Sequence, residues 1–186
     1  MEGHGEVLAM PSLVARVARE AYGRFDIVPQ HSPMRVKRGR FSPRFSDYER
    51  ALQLVSVAHE SVLVVLDSDD DDPEQLASDL EARASECVSH RRVLVAPAVR
   101  EFEAWFLASI DTMAGREAVK PDAQFQTNPE LLKGPKNHFA SLLINGVYSE
   151  SVDQKRYASL IDVDTATKRS RSFARLVDAI GQLIST

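Results

Sequence analysis

The chain predicts an α/β fold with a mostly parallel sheet sandwiched by helices. Three observations carry this. Val62 to Leu66 is an unbroken apolar run rich in valine, and Arg92 to Pro97 (RVLVAP) reads as a further buried strand. Such runs belong to strands buried on both faces, which is the habit of parallel sheets. Amphipathic helical stretches separate them, giving the alternation of helix and strand that defines the class.

The stretch around which the rest is arranged is SVLVVLDSDDDDP. In open parallel sheets ligands sit at the carboxyl ends of the strands, where Asp67 and Asp69 emerge. Alternate residues of an extended chain point the same way, so the two carboxylates are expected to share one cation. Clustered carboxylates repel, and a divalent metal is the usual remedy. The plainer reading is a helix start: an acid at the cap, Pro73 at the first helical position and Glu74 in the first turn. Capping suits Asp71 and Asp72 better than Asp67 and Asp69.

The 186 residues are expected to form a single domain, residues 1–114 as an α/β core and 115–186 as a helical C-terminal extension capping the sheet. Apolar residues make up 44%, which argues against disorder, and the net charge of −4 offers no whole-molecule basic field for nucleic acid. The single cysteine, Cys87, excludes an internal disulfide and a multi-cysteine zinc site, and fits a reducing cytoplasm. No apolar run approaches membrane-spanning length, and the acid- and glycine-bearing start does not resemble a signal peptide.

In chain order, Gly3-His4-Gly5 suggests a turn opening a helix that carries Leu8, Leu13, Val14, Val17, Ala18 and Ala21, with Pro11 in its first turn. Phe25 to Pro29 is expected to be a short strand. From His31 to Phe45 the chain concentrates Arg35, Lys37, Arg38, Arg40 and Arg44 among prolines and phenylalanines. This segment is either a solvated surface loop or a phosphate-contacting patch. Pro43 to Glu60 is expected to be a helix sending Tyr48, Leu52, Val55 and Val57 to the core, and Pro73 to Val88 another built on Leu76 and Leu80. Val99 to Met113 (VREFEAWFLASIDTM) predicts a helix with Glu101 and Glu103 in its first turn. Dipole compensation explains acids there, but they also follow the end of a buried strand. Lys133-Gly134-Pro135-Lys136 opens a helix over Asn137 to Leu143, its lysines either solvated or facing phosphate. Ser151 to Leu160 and Ser170 to Ile184 complete the helical end.

Taken together, Glu2-Gly3-His4-Gly5-Glu6, Arg35 to Phe41, Val64 to Asp69, Glu101 to Leu107 (EFEAWFL), Lys133 to Lys136 and Arg169 to Leu176 resemble the domain-of-unknown-function family 4276, a Toprim-like group. EFEAWFL is the most specific of these. The Toprim fold is shared by topoisomerases, primases and OLD-type nucleases. The resemblance implies a metal-dependent phosphodiester-acting enzyme: Glu2 as the first acid, Asp67 and Asp69 holding Mg2+ or Mn2+, Glu103 or Glu101 reaching a second metal, and Lys133 or Lys136 aiding catalysis. Arg35 to Arg44 would contact nucleic acid. The resemblance also implies a role in phage defence with a partner ATPase, on another chain because no GxxxxGK[ST] loop is present. A non-catalytic nucleic-acid or partner-binding module is the alternative, and a subunit active only in complex a third. Topoisomerases of this fold use a tyrosine, but nothing in the sequence sets Tyr22, Tyr48, Tyr148 or Tyr157 opposite the acids. Toprim domains place their first acid after a central strand, and only Met1 precedes Glu2. The resemblance therefore implies that a first central strand is missing from this chain, and further apolar residues are expected upstream.

Overall fold

The computed structural model describes residues 4–27, 29, 33–36, 46–57 and 61–185. Its elements are α1 (His4–Tyr22), α2 (Ser46–Ser56), β1 (Ser61–Asp67), α3 (Pro73–Cys87), β2 (Arg92–Ala98), α4 (Glu103–Ala108), α5 (Ile110–Met113), a 3-10 turn (Pro129–Leu131), α6 (Pro135–Ser141), α7 (Glu150–Ala158), α8 (Val163–Arg169) and α9 (Arg171–Ile184).

The two valine-rich runs form parallel neighbours, in register from Ser61 opposite Arg92 to Asp67 opposite Ala98. Helix α3 makes the crossover that a parallel pair requires. Side chains alternate across the pleat. Val65, Ala96 and Ala98 enter the larger core, with Leu13 and Val17 of α1, Trp105 of α4 and Phe173 of α9. Val62, Val64, Leu66 and Val95 enter the smaller one, with Tyr48 and Leu52 of α2 and Leu80 of α3. Both faces are thus covered, which is why the strands lack a polar side. The outer edge of β2 is closed at Val95: its N–H donates to Glu81 Oε1 (2.8 Å), and its carbonyl accepts from Arg175 Nε (3.1 Å). Side chains there fill the ladder positions that an edge strand leaves open.

The start of α3 follows the local rules. The Asp72 carboxylate accepts the N–H of Gln75 at 2.8 Å, with Pro73 directly behind it. Asp72→Ala is expected to cost about 1 kcal/mol in chemical denaturation. No loss would remove the cap from the energetics of α3.

Several expectations need correction. Helix α1 begins at His4, so Gly5 lies inside its first turn and Pro11 well within it. Its buried stripe is Ala9, Met10, Leu13, Val17 and Ala18, while Leu8 and Ala21 are exposed. None of the described residues of 25–29 is in a strand, and Phe25 is 79% exposed. The chain there is instead held by Arg24, which bonds Asp26 and the carbonyl of Ile184 at the end of α9. Val57 is 81% exposed rather than core. The helix expected from Val99 starts only at Glu103, because the chain first makes a turn at Arg100. Helix α9 packs directly on both strands, so the C-terminal third is part of the layered core as well as a cover. Among the described residues no helix is long and apolar enough to cross a membrane.

Candidate functional site

The carboxyl ends of β1 and β2 lie side by side, and the loops that leave them are joined by hydrogen bonds. Ser68 N–H donates to Ala98 O (2.8 Å), Asp69 N–H to Arg100 O (3.2 Å), and Arg100 N–H to Ser68 Oγ (3.0 Å). Ser68 is buried as the pin of this junction. Asp69 and Arg100 both adopt the left-handed region, at φ 49° and 62°. A non-glycine residue there is held at a cost of about 1–3 kcal/mol, and such residues gather at functional sites. The turn at Asp69 also corrects an expectation: β1 ends at Asp67, so Asp67 and Asp69 are not alternate members of one extended chain.

Beyond the junction the two glutamates part. Glu101 Oε2 accepts the backbone N–H of Lys136 (2.8 Å), so its carboxylate caps the start of α6. Glu103 turns inward and is only 2% exposed. Its Oε1 accepts from Tyr148 Oη (2.6 Å) and from Gln154 Nε2 (3.4 Å). Burial pushes its carboxyl up to about 7; the Tyr148 hydroxyl and the backbone pull it down, while the charges of Glu150 and Glu101 push it up. Tyr148 is raised as well, first by burial and then by the Glu103 carboxylate. Its ring packs edge-on against Phe139 and Phe106, which fixes the hydroxyl on Glu103. Lys136 Nζ is engaged by Glu150, which raises its pKa, and Lys133 is exposed.

The EFEAWFL segment is therefore mainly a core element. Phe102 to Ala108 are buried, Trp105 Nε1 donates to Ser172 Oγ (2.8 Å), and its ring meets Phe102 and Phe173. Helix α1 reaches the same neighbourhood through Gly5. A Cβ built on Gly5 would lie 2.2 Å from Gln154 Oε1 and 2.2 Å from the carbonyl oxygen of Glu150, so only glycine lets α1 come this close to α7.

Among the described residues, no three His, Cys, Asp or Glu side chains form a group that could hold a metal ion. The expected meeting of Asp67 and Asp69 with Glu101 or Glu103 is not present among them, because one glutamate caps α6 and the other faces Tyr148. Glu2, Lys37, Arg38, Arg40 and Arg44 lie outside the described residues. Mg2+ asks for hard oxygen donors, keeps several waters and commonly takes one or two carboxylates from the protein. Asp67 and Asp69 fit that demand in kind. Arg35 lines, with Arg50, Met34, Val36, Asp47, Ala51 and Leu54, a concavity of about 410 Å3 beside α2 whose lining includes none of Asp67, Asp69, Glu101 and Glu103.

Tyr148, Gln154, Glu150, Gly5 and Arg100 were not singled out by sequence reasoning as members of a site. Two of them carried a signal: Tyr148 as one of four tyrosines with no assigned partner, and Gly5 as part of the glycine-bearing start Gly3-His4-Gly5.

The fold and this junction define an α/β protein in which acidic side chains stand at the carboxyl ends of two parallel strands. Over residues 1–181 the chain matches the family described as Domain of unknown function (DUF4276), and it belongs to that family. No curated protein and no solved structure matches the chain.

Proposed function

We propose that the protein is a Mg2+- or Mn2+-dependent phosphodiester-acting enzyme, a nuclease of Toprim type, with its site at the ends of β1 and β2. The observation that carries this reading is the junction itself: two parallel strands end together, Asp67 closes β1, and Asp69 follows in a loop pinned by Ser68, with Asp69 and Arg100 in left-handed backbone. Asp67 and Asp69, with Glu2, would hold the cation. When bound, the ion would neutralise phosphate charge and favour attack by water. Glu103 and Tyr148, withdrawn from solvent, would position the wall of the site rather than bind metal. The phage-defence setting and the separate ATPase rest on the Toprim resemblance alone.

A second reading is a nucleic-acid- or partner-binding module without catalysis. It is favoured by the lack of a three-carboxylate group among the described residues.

Cleavage of labelled single-stranded DNA and RNA with Mg2+ or Mn2+ separates the two. Asp67→Ala is expected to reduce cleavage about a hundredfold or more, since metal stabilisation is worth several kcal/mol. An Asp67→Ala protein that cleaves like wild type would sink the enzyme reading, and binding without cleavage would leave the module.

A further inference from the structure

Arg100 is the residue that the proposed function leaves unexplained. Its backbone is fixed on both sides, by its N–H on Ser68 Oγ and its carbonyl under the N–H of Asp69. Glycine would adopt its left-handed conformation without strain, yet the position carries a guanidinium. That group is 31% exposed and donates from Nη1 to Asp70 Oδ1 at 2.9 Å. Asp70 is a loop side chain 95% exposed, and an ion pair with so solvated a partner holds an arginine only weakly.

The surrounding charge makes the arginine useful. Asp67 ends β1, Asp69 and Asp70 follow it in one loop and Glu101 lies on the other, and together they repel an anionic substrate. Lys136, the lysine bonded to Glu101 through its backbone, already has its ammonium on Glu150. A planar fork of N–H donors is the group best matched to phosphate oxygens, and a carboxylate presents oxygens to it in the same manner.

We propose that Arg100 binds an anionic oxygen of the phosphodiester substrate, and that the Asp70 carboxylate occupies the guanidinium in its place when the site is empty. This rests on the phosphodiester reading above. It predicts that the two partners of one ion pair act in opposite directions. Removing Arg100 weakens binding, whereas removing the Asp70 charge frees the arginine and strengthens it.

The test measures binding of fluorescein-labelled single-stranded DNA and RNA by anisotropy, with Ca2+ replacing Mg2+ so that binding is followed without cleavage. Arg100→Gly is expected to weaken binding about tenfold, the loss of one charge-assisted contact. The same change should raise Tm by about 2–4 °C as the left-handed strain is relieved. Arg100→Lys should recover part of the affinity, since it keeps the charge and loses the fork. Asp70→Asn is expected to tighten binding, and by more than Asp71→Asn, which makes the same charge change one residue away. If Arg100→Gly and Asp70→Asn move affinity in the same direction, or neither moves it, the pair is only a loop tether and the proposal is overturned. Should Arg100→Gly misfold, the comparison of Asp70→Asn with Asp71→Asn decides alone. A wild-type protein that binds neither oligonucleotide overturns both this assignment and the reading beneath it. One that binds with these shifts but never cleaves in Mg2+ or Mn2+ retires the nuclease and keeps the arginine.

Discussion

Glu103→Gln is expected to stabilise the protein by about 3 kcal/mol at pH 8 and to change little at pH 4. The buried carboxyl holds its proton up to about pH 7 in the fold, against an ordinary 4.5 for a glutamate in water. Between those values the native state binds more protons than the unfolded chain, so wild-type stability falls as pH rises through that window. Above it the full penalty of a buried charge remains. Glutamine has no such charge, keeps an oxygen for the Tyr148 hydroxyl, and brings an amide donor into a pocket where Gln154 Oε1 is buried without a hydrogen-bond donor. Urea denaturation of both proteins from pH 4 to 8 gives the comparison. Two stability curves that run parallel would mean that Glu103 is not buried as described.

Gly5→Ala is expected to destabilise the protein by about 1–3 kcal/mol, although alanine favours a helix interior by about 1 kcal/mol over glycine. The added methyl meets the Glu150 carbonyl, which is backbone and cannot rotate away. Helix α1 must lift from α7, and water then gains access to Gln154 and Glu103. Hydrogen exchange should quicken in the first turns of α1. The pH dependence assigned to Glu103 should also shrink, because relieved burial lets the carboxylate ionise more readily. A more stable Gly5→Ala protein with slower exchange in α1 would show that the helices do not touch there. Measured together, the two substitutions should be non-additive, since they act through Gln154 on one pocket.

Much of the frame was legible because its causes are local. Val62 to Leu66 and Arg92 to Pro97 announced strands by their valine-rich apolar residues, and the observed bounds extend them by one residue at either end of the first and at the end of the second. Asp72-Pro73 announced α3 through a contact three residues long. Phe25 to Pro29 also suggested a strand, but Arg24 ties that stretch to the end of α9, a partner at the far end of the chain. Gly3 to Gly5 suggested a turn because glycine is a poor helix former, and the compensating reason, the closeness of α7, is tertiary.

The sequence by itself determined the class of fold, the two buried strands, the acids at their ends and the cap of α3, because apolar runs and first-turn residues act on neighbours in the chain; which strand pairs with which was decided by the tertiary structure. The tertiary structure alone decided what each acid does. Glu101 and Glu103 are two residues apart and look interchangeable in the sequence. One meets the N–H of Lys136 and stays at a helix start; the other meets Tyr148, 45 residues along the chain, and is sealed from water. Desolvation and left-handed backbone depend on everything that surrounds a residue, and at Glu103 and Arg100 those surroundings come from segments that only folding brings together.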